Sequence, residues 1–240
     1  MAMYSSFFAM NSGQSVEVEF LEVPGGRLAY DVTGPDDAAL ILCVAGMGDT
    51  RAAFRFLAPK LVEAGYRVVR MDQRGHGQSS SPWASYGSPA TGEDMLALIR
   101  HLGGPGMIVG HSNAAAIWAA AQAPELVRGL ALVGPFLQDA KLSPIVGLAV
   151  KLATSSPLIW SRVYYPSLYK AGKPADFDAY LRAMRASLHE PGRMAALRGV
   201  AIRTGTLPSA NSTAALPGSS WARRTQTCRS PLLRPGRVRL

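Results

Sequence analysis

Residues 106–121 read GMIVGHSNAAAIWAAA, and a serine stands where the apolar run gives way to the alanine-rich one. The pattern Gly110-x-Ser112-x-Ala114 has the spacing of a nucleophile elbow, a tight strand-to-helix turn that presents a hydroxyl, with alanine in place of the second glycine. Small residues are required around it because two backbones pass closely there. A serine so placed lies at a helix N-terminus, where amides and the helix dipole favour a negative charge. The chemistry this suits is attack on a carbonyl through a tetrahedral oxyanion, which makes esters, thioesters, lactones and certain C–C bonds the candidate substrates. No other constellation competes with it. The four histidines, at 76, 101, 111 and 189, have no clustered ligand spacing, so neither a metal nor a cofactor is expected. The two cysteines cannot form a disulfide framework. Cys43 lies in an apolar run and reads as a small buried hydrophobe, and Cys228 sits in an atypical C-terminal stretch.

The elements that must hold this serine alternate along the chain. VEVEFLEV and RLAYDVTG read as a hairpin around Pro24-Gly25-Gly26. ALILCVAG is a continuous apolar run of strand length, the mark of a strand covered on both faces. Phe54, Leu57 and Leu61 then recur at helical spacing up to a stop at Gly65. YRVVRMD is a fourth strand. A loop rich in Gly, Ser and Pro leads to a helix that the spacing of Thr91 and Asp94 marks as opening with a capping box, with Met95, Leu98, Ile99 and Leu102 as its stripe and Gly103 at its end. GMIVGHS, NAAAIWAAAQA and VRGLALVGPF supply strand, helix and strand. Alternation of this kind predicts an α/β fold with a mostly parallel, doubly wound sheet and ligand sites at the carboxyl ends of the strands. From Leu137 to about Val200 only helical patterns follow. LSPIVGLAVKLA reads as a buried or pocket-lining helix, and DFDAYLRAMRASL places Phe177, Tyr180, Leu181, Met184 and Leu188 on one face.

In order and spacing, VAGMGDTRAAF, MDQRGHGQSS, VGHSNAA and APELVRGLALVGPF resemble the α/β-hydrolase superfamily, in its subgroup of cofactor-free esterases and lipase-like enzymes, over roughly residues 16–136. The resemblance implies Ser112 as nucleophile and an oxyanion hole made of the Met47 and Asn113 amides. It implies a structural loop role for His76 and a packed side chain for His111. The family usually has a histidine where Ala45 stands, and its loss should alter hydrogen bonding in the loop without removing the Met47 amide. A helical cap over 137–200, with Tyr164, Tyr165, Phe177 and Met184, would cover an apolar pocket or simply pack on the sheet. Aspartate at the nucleophile position would mean displacement at carbon, as in epoxide hydrolases. Serine does not.

The resemblance also says what is missing. The family's acid follows the sixth or seventh strand, and its histidine follows the eighth. Asp139, after the sixth strand, is the candidate acid, while His189 on a cap helix and His101 on the sheet's flank are poorly placed to act as base. Residues 201–240 contain seven arginines, no Asp, Glu or His, and no strand or helix pattern, and they are built almost wholly from residues with GC-rich codons. We read them as the product of a reading frame that left the family's frame near residue 200. A natural disordered basic tail is the competing reading. Domain limits are therefore placed at 1–136 for the core with its first six strands, 137–200 for the cap and 201–240 for the tail.

Bulk composition fits one domain of 240 residues, 48% hydrophobic and 17% charged. The net charge of +9 suggests nucleic acid until it is located: the seven late arginines leave 18 of the 25 basic groups facing all 16 acidic ones. No apolar run reaches the roughly 18 residues of a membrane span, and the N-terminus lacks a basic leader region, so the expected address is the cytoplasm. The expected partner is a small apolar substrate, with no nucleic acid and no membrane span. Loss of triad members and of two strands predicts a nearly inactive, poorly soluble serine hydrolase. The alternative is a non-catalytic binder of small ligands on the same fold.

Overall fold

The computed structural model describes residues 16–134, 144–170 and 172–203. Six strands form one sheet: β1 Glu19–Val23, β2 Gly26–Thr33, β3 Leu40–Val44, β4 Arg67–Met71, β5 Gly106–His111 and β6 Val127–Val133. Their order is β1-β2-β4-β3-β5-β6. The pairs β1/β2 and β2/β4 are antiparallel, and β4/β3, β3/β5 and β5/β6 are parallel. This is the expected α/β-hydrolase fold. Every residue of β3 is buried, as its unbroken apolar run requires. Alternation sends Leu40, Leu42 and Val44 to one face and Ile41 and Cys43 to the other. The first face packs on helices α2 (Ser88–His101) and α3 (Ala115–Gln122) through Met95, Leu98, Ile99, Ala116 and Ala119. The second packs on Phe54 and on Ala58 of α1 (Leu57–Glu63). Cys43 is fully buried, and desolvation pushes its thiol up to about 12, so it behaves as a small hydrophobe.

Two helix starts differ from the sequence expectation. Phe54, Leu57 and Leu61 do not share one helix: Arg51–Phe54 form a separate 3₁₀ turn, and Leu57 is 37% exposed while Phe54 is buried. Tertiary bonds fix that turn. The Arg51 amide donates to Asp72 Oδ1 at 2.7 Å, and its guanidinium bonds Asp31, Asp72 and Gln78 beneath the loops. Helix α2 begins at Ser88, with Gly87 as N-cap and a proline in its first turn, so Thr91 and Asp94 form no capping box. Asp94 is instead a buried partner of Arg74, two bonds of 2.7 Å each.

Helices alone follow among the described residues after β6. They are α4 (Pro144–Ala153), a composite α5 (Pro157–Ile159, π-helical Trp160–Tyr164, Tyr165–Ser167), α6 (Phe177–Leu188) and α7 (Arg193–Arg203). The predicted face of α6 is buried in a second core with Ala153, Trp160, Tyr165 and Leu197. Of the cap aromatics, Tyr165 and Phe177 are buried in this core and Tyr164 packs at its edge. Helix α4 is not fully buried: Leu148 and Leu152 are 58% and 55% exposed, because α4 turns only one side, including Ala153, to that core. Among the described residues no helix is long and apolar enough to cross a membrane, and no group of three potential ligands could hold a metal ion.

Candidate active site

The chain leaves β3 for β4 on one side and later returns to β5 on the other, so the loops after β3 and β5 part in opposite directions and open a crevice between them. Both candidate segments, 45–50 and 111–114, lie at that point. Ser112 has φ +51 and is the one non-glycine residue with positive φ among those described. Its amide donates to Val133 O at 2.8 Å, so the last rung of the β5/β6 ladder anchors the turn. The left-handed backbone costs on the order of 1–3 kcal/mol, and it persists only because its surroundings over-determine it. Gly46 lies across the crevice, and a Cβ there would stand 2.8 Å from His111 O and 2.9 Å from Ser112 Cβ. Only glycine lets the two loops meet. Gly110 is less constrained, 3.2 Å from Leu132 and 3.3 Å from Ala116 by the same measure.

The β3 loop is held by the side chain of Gln73, which the sequence did not mark, and by that of Asn113, for which only the backbone amide was expected to act. Gln73 Nε2 donates to Gly46 O at 2.9 Å, and Asn113 Nδ2 donates to Ala45 O at 3.1 Å. Because Gly46 C=O and the Met47 N–H belong to one peptide plane, fixing the carbonyl fixes the direction of that N–H. Asn113 Oδ1 accepts from Ala115 N at 3.0 Å, which ties the same side chain to the start of α3. Among the described residues, neither the Met47 nor the Asn113 amide donates to a protein acceptor. Here a glutamine and an asparagine hold a loop that has alanine at position 45. Ser112 lies in a narrow cleft of about 20 Å³ shared with Gly46, Met47, Gln73, Tyr86 and Val200.

Asp49, two residues beyond Met47, was also missed. It is 2% exposed and accepts from Tyr165 Oη at 2.7 Å, from the Tyr180 hydroxyl, and from Thr50 N at 2.8 Å. Burial raises its pKa, opposed by those bonds and by the charges of His111 and Arg55. Trp160 packs over Gly48, where a Cβ would come within 2.5 Å of the indole, and Arg55 pairs with Asp176 through bonds of 2.6 and 2.8 Å. The cap is thus fastened to the β3 loop. An acid directly after Gly48, in the loop that follows an apolar strand, is the only signal the sequence offers, and it does not say that tyrosines more than a hundred residues away complete it.

All four histidines are among the described residues, and none hydrogen-bonds Ser112. His76 is buried, bonded through Nδ1 to Arg74 O at 3.0 Å, and burial lowers its pKa to about 4. His101 is exposed at the end of α2, edge-on to Tyr30 with ring centroids 6.2 Å apart. His189 is exposed at the C-terminus of α6, and His111, half-buried, immediately precedes Ser112. Asp139 and Cys228 lie outside the described residues. Among the described residues the site therefore combines a strained serine with two amides that donate to no protein acceptor, and no histidine hydrogen-bonds the serine.

A family model described as the alpha/beta hydrolase fold matches residues 39–167. The chain is 42% identical over 66 residues to a proline iminopeptidase of Pestalotiopsis fici, covering 26% of this chain and 23% of that one. It is 31% identical over 125 residues to 2-(acetamidomethylene)succinate hydrolase of Mesorhizobium japonicum, covering 50% and 45%. The chain thus spans less than half the length of either relative. Its fold is similar to the crystal structure of a hydrolase from Pseudomonas aeruginosa PA01, with TM-score 0.64 and 23% identity over 80% of this chain and 75% of that one.

Proposed function

The chain belongs to the alpha/beta hydrolase fold family, and from that premise we propose that it is a serine hydrolase by descent, built for a small apolar ester or related carbonyl substrate and catalytically impaired in this form. Ser112 is the nucleophile, and the Met47 and Asn113 amides form the oxyanion hole. Asp139 remains the candidate acid by its place after β6, and the protein works without a cofactor in the cytoplasm. The observation that carries this reading is the positive φ of Ser112 opposite the free Met47 and Asn113 amides. Backbone strain at a hydroxyl residue is characteristic of a built site.

The impairment follows from proton transfer. A serine hydroxyl needs a base to take its proton as it attacks, and none of the four histidines hydrogen-bonds Ser112. Triad members act as a unit, so the amides and binding alone leave about 10³- to 10⁴-fold over water.

Hydrolysis of short p-nitrophenyl esters tests this. Turnover is expected to stay far below ordinary esterase rates and to fall further in Ser112→Ala. Ordinary rates abolished by Ser112→Ala would refute the impairment, and identical rates in both proteins would refute Ser112 as nucleophile. The frame change near residue 200 is tested in the gene: another frame beyond that codon should encode a strand followed by Gly-x-Asp and then a Gly-His segment. Finding neither leaves residues 201–240 as a natural tail.

A further inference from the structure

Helices α4 and α5 of the cap carry exposed aliphatic side chains and positive charge together. Leu148 and Leu152 on α4 and Leu158, Ile159 and Val163 on α5 are 58%, 55%, 45%, 37% and 65% exposed. Their spacings, i to i+4 on α4 and i, i+1, i+5 on α5, place each set on one side of its helix. The opposite sides, with Ala153, Trp160 and Tyr165, are buried in the cap core. Lys151 and Arg162 sit within these exposed sets, and Lys170 and Lys173 follow them, all four exposed. None of the four forms an ion pair among the described residues. Between Asp139 and Asp176 the sequence has no acidic residue at all.

We infer that this face of the cap docks on an anionic lipid surface. Five aliphatic side chains left 37–65% exposed on two consecutive helices mark an interaction site, and the charge among them selects the partner. A second copy would set one basic face against another, and like charges so juxtaposed repel. The arginine-rich segment after residue 200 has seven positive charges and no negative one, so it is excluded on the same ground. An anionic headgroup layer satisfies both features: the lysines and Arg162 meet phosphates while the leucines and Val163 enter the acyl boundary. With no helix able to span, the contact is peripheral. The inference does not depend on the chemistry of Ser112.

Flotation of the full chain with vesicles, which leaves aggregated protein at the bottom of the gradient, tests the proposal. The protein is expected to float with phosphatidylcholine vesicles containing phosphatidylglycerol and not with phosphatidylcholine alone. The triple variants Leu148→Ser/Leu152→Ser/Val163→Ser and Lys151→Glu/Arg162→Glu/Lys170→Glu should each weaken that binding about tenfold or more. All six positions are exposed, so folding should survive, which circular dichroism checks. The aliphatic variant separates the cap from the arginine-rich segment, whose attraction needs no leucine. No flotation of the wild type, or flotation of the aliphatic variant equal to it, overturns the proposal. Self-association without flotation, abolished by that same variant, would assign the face to a second copy and overturn it too.

Discussion

Ser112 is held at φ +51 by its bond to Val133 and by the close approach of Gly46, so a side chain at this position is a burden on the fold. Ser112→Gly should therefore be more stable than Ser112→Ala by about 1 kcal/mol, since glycine adopts this conformation freely and alanine keeps the strain. Urea titration of the two variants measures the difference, and equal midpoints would remove the strain argument. His76 gives a pH-dependent counterpart. Burial lowers its pKa to about 4, so the unfolded chain binds a proton that the folded chain refuses. Its contribution is complete above about pH 6.5 and is lost as pH falls toward 4, worth about 3 kcal/mol across that window. His76→Gln should flatten the stability profile there, and an unchanged slope would place the acid sensitivity elsewhere. Ser112, Met47 and Asn113 were readable because a local motif names them. Gln73 and Asp49 were not, because their roles rest on partners 27 to 131 positions away.

At the scale of elements, strands and helix faces were legible wherever one physical rule dominates, as in fully buried β3 or in the face of α6 that carries Tyr180 and Met184. Helix starts were not. Arg51 gives its amide to Asp72, and Asp94 gives its carboxylate to Arg74, so distant charges overrode the local signals at both places. The same kind of long-range bond joins cap to sheet. Tyr165→Phe removes a donor from the buried Asp49 carboxylate and should cost about 1–3 kcal/mol, as should Tyr180→Phe. Calorimetry of the single variants, with Asp49→Asn as the third, checks this. Tyrosine variants as stable as the wild type would show that the cap stands on its apolar core alone. Burial raises the Asp49 pKa, so the folded state binds its proton more tightly than the unfolded state does. Its charge therefore destabilises increasingly as pH rises from about 4, and Asp49→Asn should gain on the wild type in that direction.

For the whole molecule, strand order was the least readable level, since nothing local in β3 tells that β4 and β5 flank it. Yet that order creates the crevice in which the oxyanion loop and the elbow meet. It also leaves β6 paired only with β5 among the described residues, with a mostly half-exposed strand that ends at Val133, 55% exposed. An apolar parallel strand with an open ladder is a template for further pairing. The same short strand carries the carbonyl that anchors Ser112, so loss of order at this edge should reach the elbow. We expect the chain to aggregate through β6 in a manner that salt does not reverse, and Val133→Lys to slow it by placing a charge on the edge without touching the backbone bond to Ser112. Light scattering against time, at low and high salt, distinguishes the cases. Aggregation that Val133→Lys leaves untouched but that the cap variant Leu148→Ser/Leu152→Ser/Val163→Ser suppresses would place the sticky surface on α4 and α5, and the open edge would then not be what limits solubility.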